Sequence, residues 1–487
     1  MAMPTYATSR ADMNSSAITA GTNSLGTASL NALSGLLKDV YLPGVTNTLY
    51  FDNKFTRMIQ SQAGQLDATG RRIINAFETQ RSAGVGPMEE GGSFRESVPI
   101  DGFQGWEWMK YSNMYVEFTG PAIATVQSGQ GSFVDLVESH ITSLTKSAQL
   151  DLERILTGCG DGRVGKIGQG STLNGNSTMK VDGPGFFDTQ FIEDGMWIEA
   201  IAPVVNNTTA VTKRIYATGL SPMQVGSHTT GNRRTATKGT VTVGQTFVNG
   251  QSTLTEGDWL TRKDAYGQVN KGASNTNYCL EQNGLCNLVS DGMTEAARGF
   301  CDNNGWLPTN EDTDNYLLSW NVSRATQPIL KSLSYNVNDE LDEENLLTIM
   351  IEAENQYQAD PNLLMVSPRA LLKYFKNVNG DRRFNTMEAM EWTGGYKGLG
   401  IQLGDKKLMV TSMNSVPIGI GFLINTNDFK FLRPAGWNGY KWLSGGDGGV
   451  LTQKEGSDVK FATAVDYWQF VCVNPGKQCK LYNISEM

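Results

Sequence analysis

The sequence predicts an α+β chain, and three features of its patterning indicate that class. An extended, glycine-rich hairpin occupies about residues 70–118, and one long amphipathic helix follows over residues 132–158. Short β segments separated by Gly, Asn, Thr and Ser then fill about residues 181–266, which predicts a small, barrel-like β module inserted after the helix. From Leu280 onward, the chain mixes predicted helices and strands. Helices and strands grouped in separate regions are typical of α+β folds.

The hairpin is the most informative segment. Its outgoing strand contains Phe77, its tip is rich in glycine, and its return strand, which we expect to reach Phe118, contains Trp106 and Trp108. A two-stranded ribbon is marginal in water on its own, and exposed aromatic side chains indicate a partner surface. We expect that partner to be another copy of the chain. Phe77, Trp106 and Trp108 are the candidate inter-subunit contacts, and packing within the hairpin is the alternative.

The long helix carries its own boundary signals. Ser132 is an N-cap candidate, with Asp135 three residues further on. Apolar residues recur at helical spacing from Phe133 to Leu156, and Gly158 is a suitable stop. These signals predict about 26 helical residues, a length of about 39 Å.

The C-terminal part contains two further helix starts. Acidic residues between Asp339 and Glu344 favour the start of a helix that runs to about Tyr357, because they complement the positive end of the helix dipole. Residues 363–366 predict a buried strand, after which Ser367 caps the next helix. Near the N-terminus, residues 1–29 predict a mobile arm, and two short helices are expected at about residues 30–42 and 51–59.

Composition limits the function. The chain has 487 residues, 18% of them charged, and a net charge of -9, which argues against tight binding to a phosphate backbone. Its two histidines and six scattered cysteines make a zinc site improbable and predict reduced thiols. No apolar run is long enough to span a bilayer or to form a signal peptide. We expect no membrane contact, no metal and no cofactor.

One string imitates a phosphate-binding loop. Residues 160–166 have the GxxxxGK spacing, but Ile167 stands where a Ser or Thr hydroxyl would hold magnesium. The string also follows a helix instead of a strand, so we interpret it as a flexible connector and keep nucleotide hydrolysis as a minor alternative. No catalytic constellation is visible, and the sequence predicts that the protein is not an enzyme.

The order of these elements resembles the major capsid protein of tailed bacteriophages, which has the Hong Kong 97-like fold. The resemblance covers the chain from about residue 30 to the end. It is carried by five segments: Leu33–Leu49 resembles the family's arm, Tyr111–Ala124 the strand and Gly-Pro turn that close its E-loop, Gly131–Gly158 its spine helix, Leu363–Phe375 a strand–helix step of its A-domain, and Val471–Tyr482 its closing strand.

The resemblance implies a domain organisation. It comprises an N-terminal arm (residues 1–60), an E-loop hairpin (61–120), a P-domain spine helix (121–165), the inserted β module (166–278), and a mixed α/β A-domain with the remaining P-domain strands (279–487).

It also implies a function. Pentamers and hexamers would form an icosahedral phage head around double-stranded DNA, with a separate scaffolding protein, a portal and a cement protein as partners and only weak, non-specific contact with the DNA. The protein would be located in the virion after assembly in the host bacterial cytoplasm. The alternative is an encapsulin-like shell that encloses a cargo enzyme.

Some relatives join a loop lysine to a neighbour's asparagine by an isopeptide bond. Here the hairpin carries arginines and a single lysine, Lys110, which lies far from the tip. Because arginine stays protonated, it cannot serve as the nucleophile. We therefore expect Lys110 to face its own subunit and the shell to be held by non-covalent contacts.

Overall fold

The structure is a computed structural model. It describes residues 27–28, 65–68, 72–80, 86–93, 100–121, 132–158, 160, 162–168, 171, 178–183, 188–201, 223–230, 239–243, 259–263, 266–268, 277–291, 318–324, 326–381, 389–391, 397–403, 406–435, 437, 439–443 and 451–486. The two short helices predicted before residue 60, and nearly all of the predicted arm, lie outside these ranges.

The described residues contain four α-helices and a larger number of strands, which we label in chain order. The helices are α1 (Ser132–Thr157), α2 (Leu285–Leu288), α3 (Glu343–Tyr357) and α4 (Pro368–Asp381). The first thirteen strands are β1 (Thr27–Ala28), β2 (Gln65–Ala68), β3 (Arg72–Glu78), β4 (Gly102–Trp108), β5 (Lys110–Thr119), β6 (Arg163–Ile167), β7 (Thr178–Asp182), β8 (Trp197–Ile201), β9 (Met223–Thr229), β10 (Gly239–Val243), β11 (Trp259–Arg262), β12 (Tyr266–Gln268) and β13 (Asn277–Cys279). The others are β14 (Leu318–Ser319), β15 (Val322–Ser323), β16 (Leu333–Asn336), β17 (Leu363–Val366), β18 (Ala389–Glu391), β19 (Lys397–Leu403), β20 (Lys406–Ser412), β21 (Gly421–Ile424), β22 (Phe429–Pro434), β23 (Lys441–Trp442), β24 (Thr452–Gln453), β25 (Val459–Cys472) and β26 (Cys479–Tyr482).

The C-terminal sheet has the strand order β16-β26-β21-β17-β20-β19-β18. Its central strand β17 is buried on both faces, as its continuous apolar run predicts. Leu364 and Val366 point into a core shared with α3 and α4. Leu363 and Met365 point the other way, into a core shared with α1, α2 and a second sheet. The sheet is therefore a middle layer covered on both faces.

The second sheet, which we call the long-strand sheet, has the order β1-β5-β25-β22-β2, with β23 and β24 also paired to β25. Its two longest strands pair over ten residues, from Lys110 opposite Trp468 to Thr119 opposite Val459. The return strand predicted to run to Phe118 therefore divides in two: β4 pairs with β3 in a separate two-stranded ribbon, and β5 belongs to the subunit body.

A closed barrel with the order β10-β7-β6-β11-β8-β9 forms the β module. Apolar side chains at alternate positions fill its interior, and these are Val164, Met179, Val181, Ile198, Val225, Val241, Val243 and Leu260 among others.

The prediction that residues 160–166 form a flexible connector is wrong for the second half of that segment, because residues 163–167 form barrel strand β6. Gly165 serves packing in the barrel: a Cβ at this position would lie 2.8 Å from Cγ1 of Val181. The glycine spacing that imitates a phosphate loop thus has a steric cause.

Two helix ends follow the predicted signals, Gly158 after α1 and Ser367 before α4. Gly158 directly follows α1 and donates from its backbone N–H to the carbonyl of Arg154 at 2.8 Å. Asp342 accepts from the backbone N–H of Asn345 at the start of α3. The Ser367 hydroxyl accepts from the N–H of Ala370 at the start of α4. Among the described helices, none has both the length and the apolar character needed to cross a bilayer.

Candidate assembly interface

The β3–β4 ribbon has two different faces because its register fixes which side chains stand together. Arg72 lies opposite Trp108 and Ile74 opposite Trp106, and these pairs share one face. Phe77 lies opposite Phe103 on the other face. Alternation along each strand therefore separates the predicted contact residues: Trp106 and Trp108 share a face, and Phe77 does not.

The inner face is fastened to the ribbon's own subunit. The Phe77 ring stacks on Phe103 at 5.1 Å and meets the edge of Trp320 at 6.1 Å. These rings join a core cluster that includes Leu432 and Val471 from the long-strand sheet. The sequence pattern did not predict this attachment, because the decisive partner, Trp320, lies more than 200 residues away in the chain.

Two hydrogen bonds of Trp320 complete the attachment. Its carbonyl accepts from the backbone N–H of Trp106 at 2.9 Å, and its indole Nε1–H donates to the carbonyl of Cys472 at 2.7 Å. At the same point, Gly105 allows the ribbon to lie close to Trp320, because a Cβ at position 105 would be only 2.5 Å from the Trp320 Cβ.

The outer face is apolar and exposed. Ile74 is 53% exposed and Trp108 is 36% exposed. The Trp106 and Trp108 rings meet edge to face at 5.1 Å, and the Arg72 guanidinium lies over the Trp106 ring at 5.6 Å. This face presents a preordered aromatic pair with a cation beside it, a composition that is favoured at protein interfaces.

The described part of the hairpin tip also has exposed apolar side chains. Met88 and Ile100 are both more than half exposed. Gly91 adopts a φ of +78°, a conformation that an L-residue rarely takes, and Gly92 closes the turn by donating to the carbonyl of Glu89 at 3.0 Å.

The root of the ribbon contains a buried polar cluster. Burial raises the pKa of the Glu107 carboxyl, and this effect is opposed by the nearby Lys110 ammonium and by hydrogen bonds from Gln469 and Asn283. The Lys110 ammonium donates to the backbone carbonyl of Glu281. Lys110 thus contacts its own subunit.

A second exposed surface lies on the long-strand sheet, and we call it the aromatic sheet face. Tyr111 is 69% exposed and packs edge to face against Tyr467 at 5.3 Å. Tyr115 is also exposed and lies 5.7 Å from Phe461. Sequence reasoning missed this surface because it placed Tyr111 in the hairpin; the alternation of exposed Tyr111 and Tyr115 with buried Met114 and Phe118 is the signal that could have found it.

No group of three or more His, Cys, Asp or Glu side chains in the described ranges is placed to hold a metal ion. Three cysteines, Cys286, Cys472 and Cys479, are buried thiols without disulfide bonds, and burial raises the pKa of both Cys472 and Cys479. His140 is packed edge to face against Phe118 at 5.8 Å, and burial lowers its pKa.

Comparisons with known proteins found similarity among solved structures alone. No protein-family model matches the chain, and no curated protein is similar to it in sequence. Among solved structures, the capsid asymmetric unit of Cyanophage A-1(L) is 8% identical and is matched over 93% of this chain and 99% of that chain, with a TM-score of 0.45. The capsid of a native GTA particle is 6% identical over 94% and 98% of the two chains, with a TM-score of 0.39.

An encapsulin, the holo-SrpI complex from Synechococcus elongatus, is 10% identical but matches only 33% of this chain and 57% of that chain, with a TM-score of 0.25. The similarity to the cyanophage and GTA capsid structures spans most of this chain, whereas the similarity to the encapsulin spans about a third of it.

Proposed function

We propose that this chain is the structural subunit of a phage capsid, which assembles as pentamers and hexamers into an icosahedral shell around double-stranded DNA. The observation that carries the proposal is the outer face of the ribbon. There Ile74, Trp106 and Trp108 are presented by two strands whose other face is fastened to the subunit. An ordered, exposed aromatic surface is suited to bind a protein partner, because little side-chain entropy remains to be lost.

The partner is a second copy, and its binding surface is the aromatic sheet face around Tyr111 and Tyr115. Both surfaces present exposed aromatic side chains, and they lie on different elements of the chain, the ribbon and β5. Contact between two different surfaces of identical subunits is heterologous, and such contacts close into rings when the rotation between subunits permits it. Pentamers and hexamers are rings of this kind.

The finer organisation follows the sequence resemblance. Residues 1–60 would be the arm, and 61–120 the E-loop together with β5 of the subunit body. Residues 121–165 would be the spine helix with the start of barrel strand β6, 166–278 the rest of the inserted β module, and 279–487 the A-domain with the remaining P-domain strands. Neighbouring subunits would be held by non-covalent contacts, since Lys110 bonds to its own subunit.

A scaffolding protein, a portal and a cement protein would be separate partners in the virion. DNA contact would be weak, because the net charge of the chain is -9.

Electron microscopy and sedimentation velocity of the overexpressed full chain test this proposal. We expect shells or capsomer rings from the wild-type chain, and a loss of both in a variant that combines Ile74→Ser with Trp108→Ser. The matched control is Thr178→Ala with Thr242→Ala on the barrel, which alters an exposed pair joined by a 3.1 Å hydrogen bond and should assemble normally. A wild-type chain that stays monomeric at all concentrations contradicts the proposal. A shell that carries a stoichiometric cargo protein, identified by mass spectrometry, favours the encapsulin-like alternative.

A further inference from the structure

The layer formed by α3 and α4 on the C-terminal sheet has exposed apolar side chains on both helices. On α3, Leu347 and Ile351 are exposed, the latter by 51%, while Leu346, Ile349, Met350 and Ala353 face the core. On α4, Leu372 is 68% exposed. Residues four apart lie on the same side of a helix, so Leu347 and Ile351 form a short apolar stripe that faces away from the sheet.

The two helices carry opposite charge. Helix α3 contains four glutamates and neither Lys nor Arg, whereas α4 contains Arg369, Lys373 and Lys376 with one aspartate. Glu344 and Glu354 lie on the exposed side of α3, beside the apolar stripe. Lys376 is exposed one turn after Leu372 on α4. Glu340, in the segment before α3, pairs with Lys373 at 2.6 Å and also attracts Lys376. The α3 surface is therefore acidic, and the α4 surface is basic apart from this one carboxylate.

Topology places the helices on opposite sides of the layer. Helix α3 connects β16 to β17, and β16 is one edge of the sheet. Helix α4 leaves β17 towards β18, β19 and β20, which form the other side. Both helices lie on the same face because they share one core cluster. The acidic helix thus lies towards one edge of the sheet and the basic helix towards the other.

We propose that neighbouring copies of this chain pack side by side through these helices, with the Leu347–Ile351 stripe of α3 in one copy against Leu372 of α4 in the next. Charge complementarity selects this arrangement. A head-to-tail contact brings acidic α3 against basic α4, whereas a side-by-side two-fold contact at either edge would bring α3 against α3 or α4 against α4, and so like charges together. The inference rests on the proposed function and adds to it a second contact, which is independent of the ribbon.

A charge-exchange experiment on the full chain tests the contact. Glu354→Lys alone and Lys376→Glu alone should each weaken assembly about tenfold in sedimentation velocity, because each places like charges across the interface. The two substitutions combined should restore assembly, since the attraction returns with reversed polarity. Lys180→Glu on an exposed barrel strand is the matched control and should have no effect.

A second variant tests the apolar centre of the same contact without changing charge. Leu372→Ser should weaken assembly, while circular dichroism and the thermal transition show that the subunit remains folded. If the wild-type chain assembles and the single charge variants assemble equally well, the helix contact is refuted while the capsid proposal stands. If the double exchange stays as weak as the singles, or if the ring is replaced by a two-fold dimer, the head-to-tail pairing is wrong. A wild-type chain that never associates overturns both proposals.

Discussion

The two faces of the β3–β4 ribbon differ in what covers them, although the same two strands supply both. On the inner face, Phe77 is buried against Phe103 and Trp320 of its own chain. On the outer face, Ile74 and Trp108 remain exposed. The period of two along a strand is enough to give one face to folding and the other to assembly.

This difference separates folding energy from assembly energy in a way that mutations can measure. Substitutions on the inner face should lower the stability of the isolated subunit. Substitutions on the outer face should lower that stability less and should weaken association between subunits.

Phe77→Ala should have the largest effect. It removes a buried ring from the cluster that contains Trp320, Leu432 and Val471, and such deletions cost about 3–5 kcal/mol. Denaturant unfolding of the unassembled subunit measures this loss. A loss below about 0.5 kcal/mol, the range of ordinary surface substitutions, would show that the inner face is not part of the subunit core.

Trp108→Ser should act on assembly instead. Aromatic side chains at the centre of interfaces typically contribute 2 kcal/mol or more to binding, about a thirtyfold change in the association constant. The unfolding free energy of the subunit should change less, by about 0.5–1.5 kcal/mol, because the substitution removes an edge-to-face aromatic pair with Trp106 but no fully buried side chain. A variant that unfolds early but assembles normally once folded would reverse the comparison between the faces.

The sequence alone predicted the elements whose signals are local. The Gly158 stop of α1, the acidic start of α3, the Ser367 cap and the apolar run of β17 each depend on a few neighbouring residues, and the structure agrees with them. The division of the return strand between β4 and β5 was not predictable, since it depends on pairing with β25 more than 300 residues later.

The same limit applies to the candidate interface. Local patterning identified three aromatic residues in the hairpin, but not which of them its own subunit would cover. Trp320, which covers Phe77, adopts a positive φ of 53° in a tight β14–β15 turn. Neither that turn nor its distant partner gives a signal in the hairpin sequence. The assignment of Trp106 and Trp108 to an inter-subunit contact stays a prediction.

Gly105→Ala, on the inner face, should have an intermediate effect on the stability of the subunit. The added methyl would lie 2.5 Å from the Trp320 Cβ and 3.0 Å from its carbonyl oxygen, so the ribbon or the β14–β15 turn must move. Such overpacking costs about 1–3 kcal/mol. Gly91→Ala is the matched control for glycine removal outside the packed face, because no atom lies within 4 Å of its Cβ position. Its own cost comes only from the positive φ. Equal thermal shifts in the two variants would show that the ribbon does not press on Trp320.

The smallest expected effect concerns the root of the ribbon, where stability should depend on pH through Glu107. Burial raises the pKa of its carboxyl above the ordinary value of 4.5, so the folded subunit binds this proton more tightly than the unfolded chain does. The resulting stabilisation is fully present below pH 4.5 and is lost as the pH rises through the raised pKa of the folded state.

The substitution Glu107→Gln tests this dependence, because it keeps the shape of the side chain and removes its titration. Relative to the wild-type subunit, this variant should therefore be more stable at mildly alkaline pH than at a pH near 4.5. This gain in stability is small, because the variant also loses the attraction between the ionised Glu107 carboxylate and the Lys110 ammonium. That ammonium keeps its hydrogen bond to the carbonyl of Glu281. Thermal unfolding of the unassembled subunit across this pH range measures the difference, with Glu89→Gln in the exposed tip as the control for removing one negative charge. A Glu107→Gln variant whose stability relative to wild type falls as the pH rises would mean that the ionised carboxylate stabilises the root, with its attraction to Lys110 outweighing the cost of burial.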